Sequence, residues 1–514
     1  MSTLQPERHN EQPIVSSMDD EKPPRVDVDI DETQHPPKVL SAFVILCAGF
    51  NICNTWTGLA STLALGISQG GPLNVVYGLV VMFFLLGASA LSLAEMAARY
   101  PTAGGQYHWT AILSPQRASR YLSYACGSTN FFSWIAVCAS VTLIPPQQVV
   151  GVIAYYHPEY TIQRWHVFLM YQGLNIFVVA YNTLLLRRAP WTHDIGFVLS
   201  LTSFFVITVA CLAIAYPKQS NSYVWTNFVN DSGWSSDGLV FLTGLINPNF
   251  GLAGIDGAVH LAEDCANAAT AVPWALVSVM LISSVSAFWF TVSMFYCISD
   301  PTAVLDTPTN VPILEIWSQA TRSTAATTVF MVLLILIGFF ALNGAQQTAS
   351  RLTWSFARDN ALIFSDYIGR IDPQLGVPVW ALVFNAFVVF VLGCVFLGSS
   401  TAFNAIVGTT LVLQQLSYAF PAALLMWQRR HPRFLPPKGR FNLGAFGWVA
   451  NAVTVGWAML SLVIYSLPVS LPATSSNMNY TCAVLGGMAI FTLVNWWLHA
   501  RRHYHGPRIN LEKL

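Results

Sequence analysis

Charge is what this sequence has least of. Asp, Glu, Lys and Arg make up 9% of its 514 residues, where a soluble domain carries about 25%. So few charges cannot solvate the surface of a water-soluble fold of this size. The 24 basic residues are balanced by 24 acidic ones, so no basic excess exists to hold a nucleic acid. The nine cysteines form no CxxC pair and no secreted-type ladder, which points to buried free thiols and away from a disulfide framework or a metal centre. No HExxH stretch occurs, and no bound cofactor is expected. Residues 1–38 are polar, rich in Pro, Asp and Glu, and lack the apolar core of a signal peptide. They are expected to form a disordered cytoplasmic tail.

What the chain has instead is hydrocarbon. Hydrophobic residues make up 54%, in blocks of about 18 to 25, each long enough to cross ~30 Å of lipid as a helix. The expected spans are 41–67, 73–94, 122–154, 166–186, 194–216, 239–262, 273–297, 327–355, 377–397, 402–426, 445–467 and 480–499. An all-α membrane protein of twelve transmembrane helices follows, with a transporter domain over 39–500 and a cytoplasmic C-terminal tail over 501–514. With the N-terminus inside, 21 of the 24 Lys and Arg residues fall on the cytoplasmic side, and only Arg164, Lys218 and Arg322 on the other. That asymmetry sets both termini in the cytoplasm. The sequons Asn230-Asp-Ser and Asn479-Tyr-Thr fall in loops on the opposite side, where glycosylation occurs.

Two spans are weak. Span 1 carries Asn54-Thr55-Trp56-Thr57-Gly58 at its centre, and span 6 carries Pro248 followed by Gly251, Gly254 and Gly257. Glycine costs about 1 kcal/mol and proline about 3 inside a helix, so both spans are expected to unwind at mid-membrane. They open two successive five-span blocks, 1–5 and 6–10. Interrupted helices at matching places in two halves are the sequence signature of a transporter's substrate site. The plainer reading is that each glycine lets helices pack closely. One broken span would favour that; two in register favour a site.

The blocks around these breaks resemble the amino acid–polyamine–organocation superfamily, and within it the fungal choline and GABA permeases. They are GISQGGPLNVVYG, SLAEMAARYPTAGGQYHWTAILSP, LINPNFGLAGIDGAVHLAED, VPILEIW, RLTWSFARDNALIFS and SSTAFNAIVGTTLVLQQLSYAFP. The resemblance implies a five-plus-five inverted-repeat fold of the leucine-transporter kind, with two further helices and discontinuous helices 1 and 6. It also implies ion-driven uptake of choline, GABA or a related amine or amino acid, with the proton as the expected coupling ion. The plasma membrane is the default address and the vacuolar membrane the alternative.

Candidate roles follow from residue chemistry. Free N–H groups at a helix restart hold carboxylates, which points to the backbone around Thr57, Gly58 and Leu59 and at Gly254 to Gly257, with Asn54, Thr55 and Gly251 as further substrate-binding candidates. Aromatic faces would hold a quaternary ammonium, and Trp56, Phe250 and Trp134 are the candidates. Asp256 is an acid within a span, and such acids mark ion, proton or substrate paths. His260 lies one helical turn on, on the same face, as a possible proton partner. Glu95, Glu263 and Asp264 lie at the membrane edge and are expected to pair with loop arginines as an inner gate. Thr348, Ser350 and Thr353 in span 8 leave sodium open as the ion, although span 5 has no lysine to act as its surrogate. His260-Leu-Ala-Glu-Asp264 also fits a loose HxxxD acyltransferase pattern, but no second catalytic block accompanies it. A permease-fold nutrient sensor, an exchanger and a sodium-coupled carrier are the functional alternatives.

Overall fold

The computed structural model describes residues 38, 40–185, 188–435, 441–475 and 477–508. The N-terminal tail expected over residues 1–38 lies, apart from Lys38, outside the described residues, as do Arg187, Lys438, Arg440 and Lys513 of the charge count. The described chain is helical, with only isolated bridges, Leu40 to Cys265 and Gln69 to Asn230, in place of strands.

Span 1 forms α1 (Ala42–Ile52) and α2 (Thr55–Ser68). The Ser41 hydroxyl accepts from the Val44 amide to start α1, as an N-cap should. Next come α3 (Gly71–Arg99), the short α4 (Gln106–Leu113), α5 (Gln116–Tyr156), α6 (Arg164–Leu184), α7 (Thr192–Ile214) and the surface turn α8 (Asn221–Thr226). Span 6 breaks into α9 (Asp237–Gly244), α10 (Ile246–Gly251) and α11 (Gly257–His260), with a 3-10 turn at Ala262–Asp264. Beyond it lie α12 (Ala268–Cys297), α13 (Pro301–Leu305), α14 (Pro312–Thr321), α15 (Thr324–Arg358), α16 (Ser365–Ile368), α17 (Val379–Gly398), α18 (Ser400–Trp427) and α19 (Phe446–Ile464). The last element runs from α20 (Thr481–Asn495) through a π-turn into α21 (Arg501–His503). Residues 501–503 therefore continue a helix that the sequence reading ended at 499.

Among the described residues, ten helices are long and apolar enough to cross a membrane. The other two expected spans fail that test for different reasons. Span 6 is in pieces, and α18 carries Asn404, Gln414, Gln415 and several hydroxyls. The apolar window of α1–α2 is 72% buried and that of the last helix 11%, so the broken pair is central and the last helix peripheral. Around the centre α3 packs on α12, α5 on α15 and α18, α6 on α17, and α7 on α15. All nine cysteines are free, but Cys394 and Cys482 are exposed on the helix bundle and not buried as expected.

The breaks are tighter than the sequence suggests. Only Cys53 and Asn54 leave the helix in span 1, so Thr55 to Gly58 form the first turn of α2. In span 6 the unwound stretch is 252–256. Pro248 sits in the first turn of α10, where a missing N–H costs nothing. Its effect is upstream, since it cannot bond Gly244, the last residue of α9. Gly58 and Gly251 meet where α2 crosses α10, and a Cβ on Gly58 would lie 3.3 Å from the Gly251 Cα. Gly254 has φ +81 and faces Ile52, whose Cγ2 would be 2.9 Å from an added Cβ. Left-handed backbone costs a non-glycine residue about 1–2 kcal/mol. Gly254→Ala is accordingly expected to lower thermal stability by about that amount and to reduce function more, because the 252–256 turn carries the candidate site. Unfolding and functional assays on one preparation check it.

Candidate functional site

The turn that ends the break in span 6 is held from both sides. The Gly254 amide donates to Gln414 Oε1 of α18 at 3.3 Å, and the Gly257 amide donates back to the Gly254 carbonyl at 2.9 Å. This aims the Asp256 side chain into the protein, where it is fully buried. Its Oδ2 accepts from Gln106 Nε2 at 2.7 Å and from Trp134 Nε1 at 3.2 Å. Its Oδ1 accepts from the Tyr418 hydroxyl at 2.8 Å. His260 Nε2 lies 3.1 Å from Oδ2, and the Trp134 indole meets the imidazole edge to face at 5.9 Å.

The second nitrogen of His260 fixes the tautomer. Nδ1 is 2.7 Å from the Ala103 carbonyl, which only accepts, so Nδ1 carries a hydrogen. In a neutral imidazole Nε2 is then an acceptor, and it faces a carboxyl oxygen. The 3.1 Å contact is a hydrogen bond only if a proton lies on it, on either the imidazole or the carboxyl group. Asn130 Nδ2 lies 3.3 Å from the same Nε2 and donates to Gln106 Oε1 at 3.1 Å, closing the ring of polar groups. No Lys or Arg among the described residues reaches Asp256. Sequence reasoning found Asp256, His260 and Trp134 and missed Gln106, Asn130 and Tyr418. Glutamine and tyrosine inside apolar stretches, in GGQYHW and QQLSY, were the available signals.

A cavity lies beside this cluster. It is lined by Asn54, Thr57, Gly58, Phe250 and Gly251 from the expected set, with Ser61, Ser140, Gln148, Thr410 and apolar residues of α5, α15 and α18. Asp256 does not line it. Ile52 lines the cavity and packs with the Trp134 indole against Gly254 and Gly257, on either side of the acid in sequence. The expected site thus resolves into two adjoining parts.

Two expected residues turn elsewhere. Trp56 is on the first turn of α2 but points away from the cavity. Its indole packs at 5.1 Å on Phe290 and its Nε1 donates to Ser200 Oγ at 3.0 Å. It offers no face to a cation. Thr55 is buried, with its hydroxyl on the Cys53 carbonyl at 2.8 Å. The hydroxyls considered for sodium do not converge. Thr348 faces the Gly257 carbonyl at 3.4 Å, Ser350 bonds the Gln347 carbonyl, and Thr353 bonds Asn385 of α17.

All three edge acids have arginine partners. Glu263 meets Arg358 through both oxygens at 2.8 and 3.2 Å and also accepts from the Ala103 amide at 3.0 Å. Asp264 meets Arg351 Nε at 2.8 Å, and Glu95 meets Arg430 at 2.7 Å. Arg351 and Arg358 are on the last two turns of α15 and not in a loop: Arg351 lies within the expected span, and α15 runs on past its expected end at 355 to Arg358. Nearby, Asp359 gathers the Tyr107 hydroxyl at 2.8 Å, His108 Nε2 at 3.1 Å and the backbone amide of Arg508 at 3.0 Å. Burial and the Asp359 charge hold the Tyr107 phenol well above its usual range, so it stays a neutral donor. Asp359 is 1% exposed, and Asp359→Ala removes the acceptor of the His108 ring and the Arg508 amide and leaves the Tyr107 hydroxyl only Ser355 Oγ at 2.9 Å, at about 1–3 kcal/mol for each donor left unpaired. It is expected to lower the unfolding midpoint clearly, with Asp359→Asn recovering part of the loss. The two sequons lie in loops, with both asparagine amides engaged: Asn230 with Asp237 at 2.9 Å, and Asn479 with the Leu467 carbonyl at 2.5 Å.

Taken together, ten helices long and apolar enough to cross a membrane and a cavity beside a buried acid describe an integral, multi-pass membrane protein. The sequence model of the amino acid permease family matches residues 38–489. The chain belongs to that family. It is 33% identical to a choline transporter of Saccharomyces cerevisiae over 92% of this chain and 83% of that one. It is 26% identical to a 7-keto 8-aminopelargonic acid transporter of the same yeast, over 94% of each. A swainsonine transporter of Arthroderma benhamiae is 29% identical over 92% of this chain and 93% of its own.

Proposed function

We infer that the chain is a secondary active transporter that imports a small amine or amino acid by proton symport. Its domain covers residues 39–500 and has twelve spans, ten of them in two five-span halves of inverted topology. The packing supports this arrangement. Among the five equivalent pairs, α3 meets α12, α5 meets α15 and α6 meets α17 directly, while the α5–α18 contact is mirrored by α15–α7. The short helices α4 and α14 occupy matching places between the second and third spans of each half. The termini are cytoplasmic by the distribution of basic residues, and the plasma membrane is the expected location.

Proton coupling rests on one observation, the fully buried contact between Asp256 and His260 that needs a proton to be a bond. Substrate sits in the cavity between α2 and α10, and the proton joins the neighbouring pair. Ile52 lines the cavity and packs with Trp134 against Gly254 and Gly257, on either side of Asp256, so filling the cavity bears on the packing at the acid. His260 is tied to Ala103, and Ala103 to Glu263 and Arg358. A change at the acid therefore reaches the Glu263–Arg358 pair through His260 and Ala103. The ion pairs of the edge acids act as the inner gate, which opens as the bundle rocks to release substrate inward.

The test is uptake into cells by the full chain at two pH values, with and without sodium. The panel is choline, GABA, and neutral and basic amino acids. Choline leads it because of the yeast relative's name. Accumulation that rises with external acidity and ignores sodium is the expected result. Accumulation that follows sodium and ignores pH overturns proton symport.

A further inference from the structure

Four hydroxyls of the cavity wall have committed their protons. Thr57 gives its hydroxyl proton to the Asn54 carbonyl at 2.8 Å, and Ser61 gives its own to the Thr57 carbonyl at 3.0 Å. Ser140 donates to the Val137 carbonyl at 2.9 Å, and Thr410 to the Ile406 carbonyl at 3.3 Å. Such bonds to the preceding turn are the habit of hydroxyls inside helices. They leave these four oxygens with lone pairs only. Asn54 spends its amide on Ser200 Oγ at 2.9 Å.

Gln148 on α5 completes the pattern. Its Nε2 is 3.2 Å from Ser61 Oγ. The single Ser61 proton is already on the Thr57 carbonyl, so Ser61 accepts here and the amide must present its NH2 to it. That orients the carbonyl oxygen the other way. Gln148 is 4% exposed, lines the cavity, and its Oε1 has no hydrogen-bond partner among the described residues. A buried acceptor left without a donor is unfavourable in the protein alone, and a ligand that brings an N–H or O–H removes the deficit.

We propose that Gln148 is a specificity-determining residue that accepts a hydrogen bond from an N–H or O–H donor on the substrate, a primary amine or a hydroxyl. This rests on the reading of the cavity as the substrate site. Sites built to hydrogen-bond a polar group reject analogues lacking it far more strongly than apolar pockets reject a change of size. A primary ammonium group satisfies Gln148 Oε1 and neighbouring hydroxyl lone pairs together. A quaternary ammonium without any hydroxyl satisfies none of them, and in choline only the hydroxyl can serve.

The experiment measures equilibrium binding to the purified full chain in lipid nanodiscs, which is independent of whether substrate is accumulated. The probes are matched pairs: GABA with its N-trimethyl derivative, and choline with its methyl ether. At least one donor-bearing member is expected to bind about tenfold or more tightly than its methylated partner. Gln148→Leu should bring that ratio to within about twofold, while Gln148→Glu, which keeps an acceptor, preserves it. Thermal unfolding of each variant reports folding, and Gln148→Met serves if the leucine variant does not fold. Equal binding of both pair members by the unaltered protein, or an unchanged ratio in a folded leucine or methionine variant, overturns the proposal. Binding selectivity without uphill uptake would sink the symport reading and leave Gln148 standing. Uphill uptake with no effect at Gln148 would do the reverse.

Discussion

Asp256→Asn is expected to abolish uphill accumulation while leaving exchange of internal for external substrate within a few-fold of normal. The asparagine keeps the shape of the side chain and an oxygen for Gln106, Trp134 or Tyr418. What it loses is the ability to take up and release a proton beside His260. Exchange needs only the cavity and alternating access, and Asp256 lies outside the cavity lining. Uphill transport needs the ion to travel with the substrate. Loading cells with labelled substrate and following both net uptake and counterflow separates the two. A variant that still concentrates substrate normally against a gradient removes Asp256 from the coupling site. His260→Gln is the companion experiment: it keeps a group near Ala103 but cannot share the proton, and a loss confined to net uptake is again expected.

The second large effect concerns the pair of Glu263 and Arg358, whose side chains are 11% and 5% exposed. Removing one partner of a buried pair typically costs about 3–5 kcal/mol, because the other charge is left uncompensated. Arg358 also lies over the Trp354 ring at 4.4 Å, so its loss removes packing as well. Arg358→Met or Glu263→Gln alone should therefore lower the unfolding temperature sharply. The double change should recover much of that loss, since no lone charge remains. As an inner gate, the pair should also hold the cytoplasmic side closed. The double variant, stable enough to study, is expected to label faster at cysteines introduced facing the inner mouth. Unchanged labelling would reduce the pair to a structural role.

The sequence carried the membrane class, the positions of the long helices and the two weak spans, because each follows from local properties. Lipid demands continuous apolar runs, and glycine and proline weaken helices wherever they stand. The local signals overreached where the effect is positional. Pro248 looked like the break, yet it fits the first turn of α10 and ends the helix before it. The polar run 54–58 looked unwound, yet four of its five residues are helical, because a polar side chain does not by itself break a helix.

Asp256 stood out in the sequence because a carboxylic acid in hydrocarbon is costly wherever it occurs. Its partners did not stand out. Gln106, Trp134 and Tyr418 are 150, 122 and 162 residues away along the chain, and no spacing rule connects them. The direction of a side chain around its helix was equally hidden. Trp56 faces Phe290 and not the cavity, and Gln148 is left with an unpartnered oxygen only because Ser61 has already committed its proton. By itself, then, the sequence determined which stretches are apolar enough to cross lipid, which spans break and which acid is out of place, all local costs against a bilayer. Which groups meet at that acid, and which atoms face the cavity, was decided by the packing of helices remote in sequence.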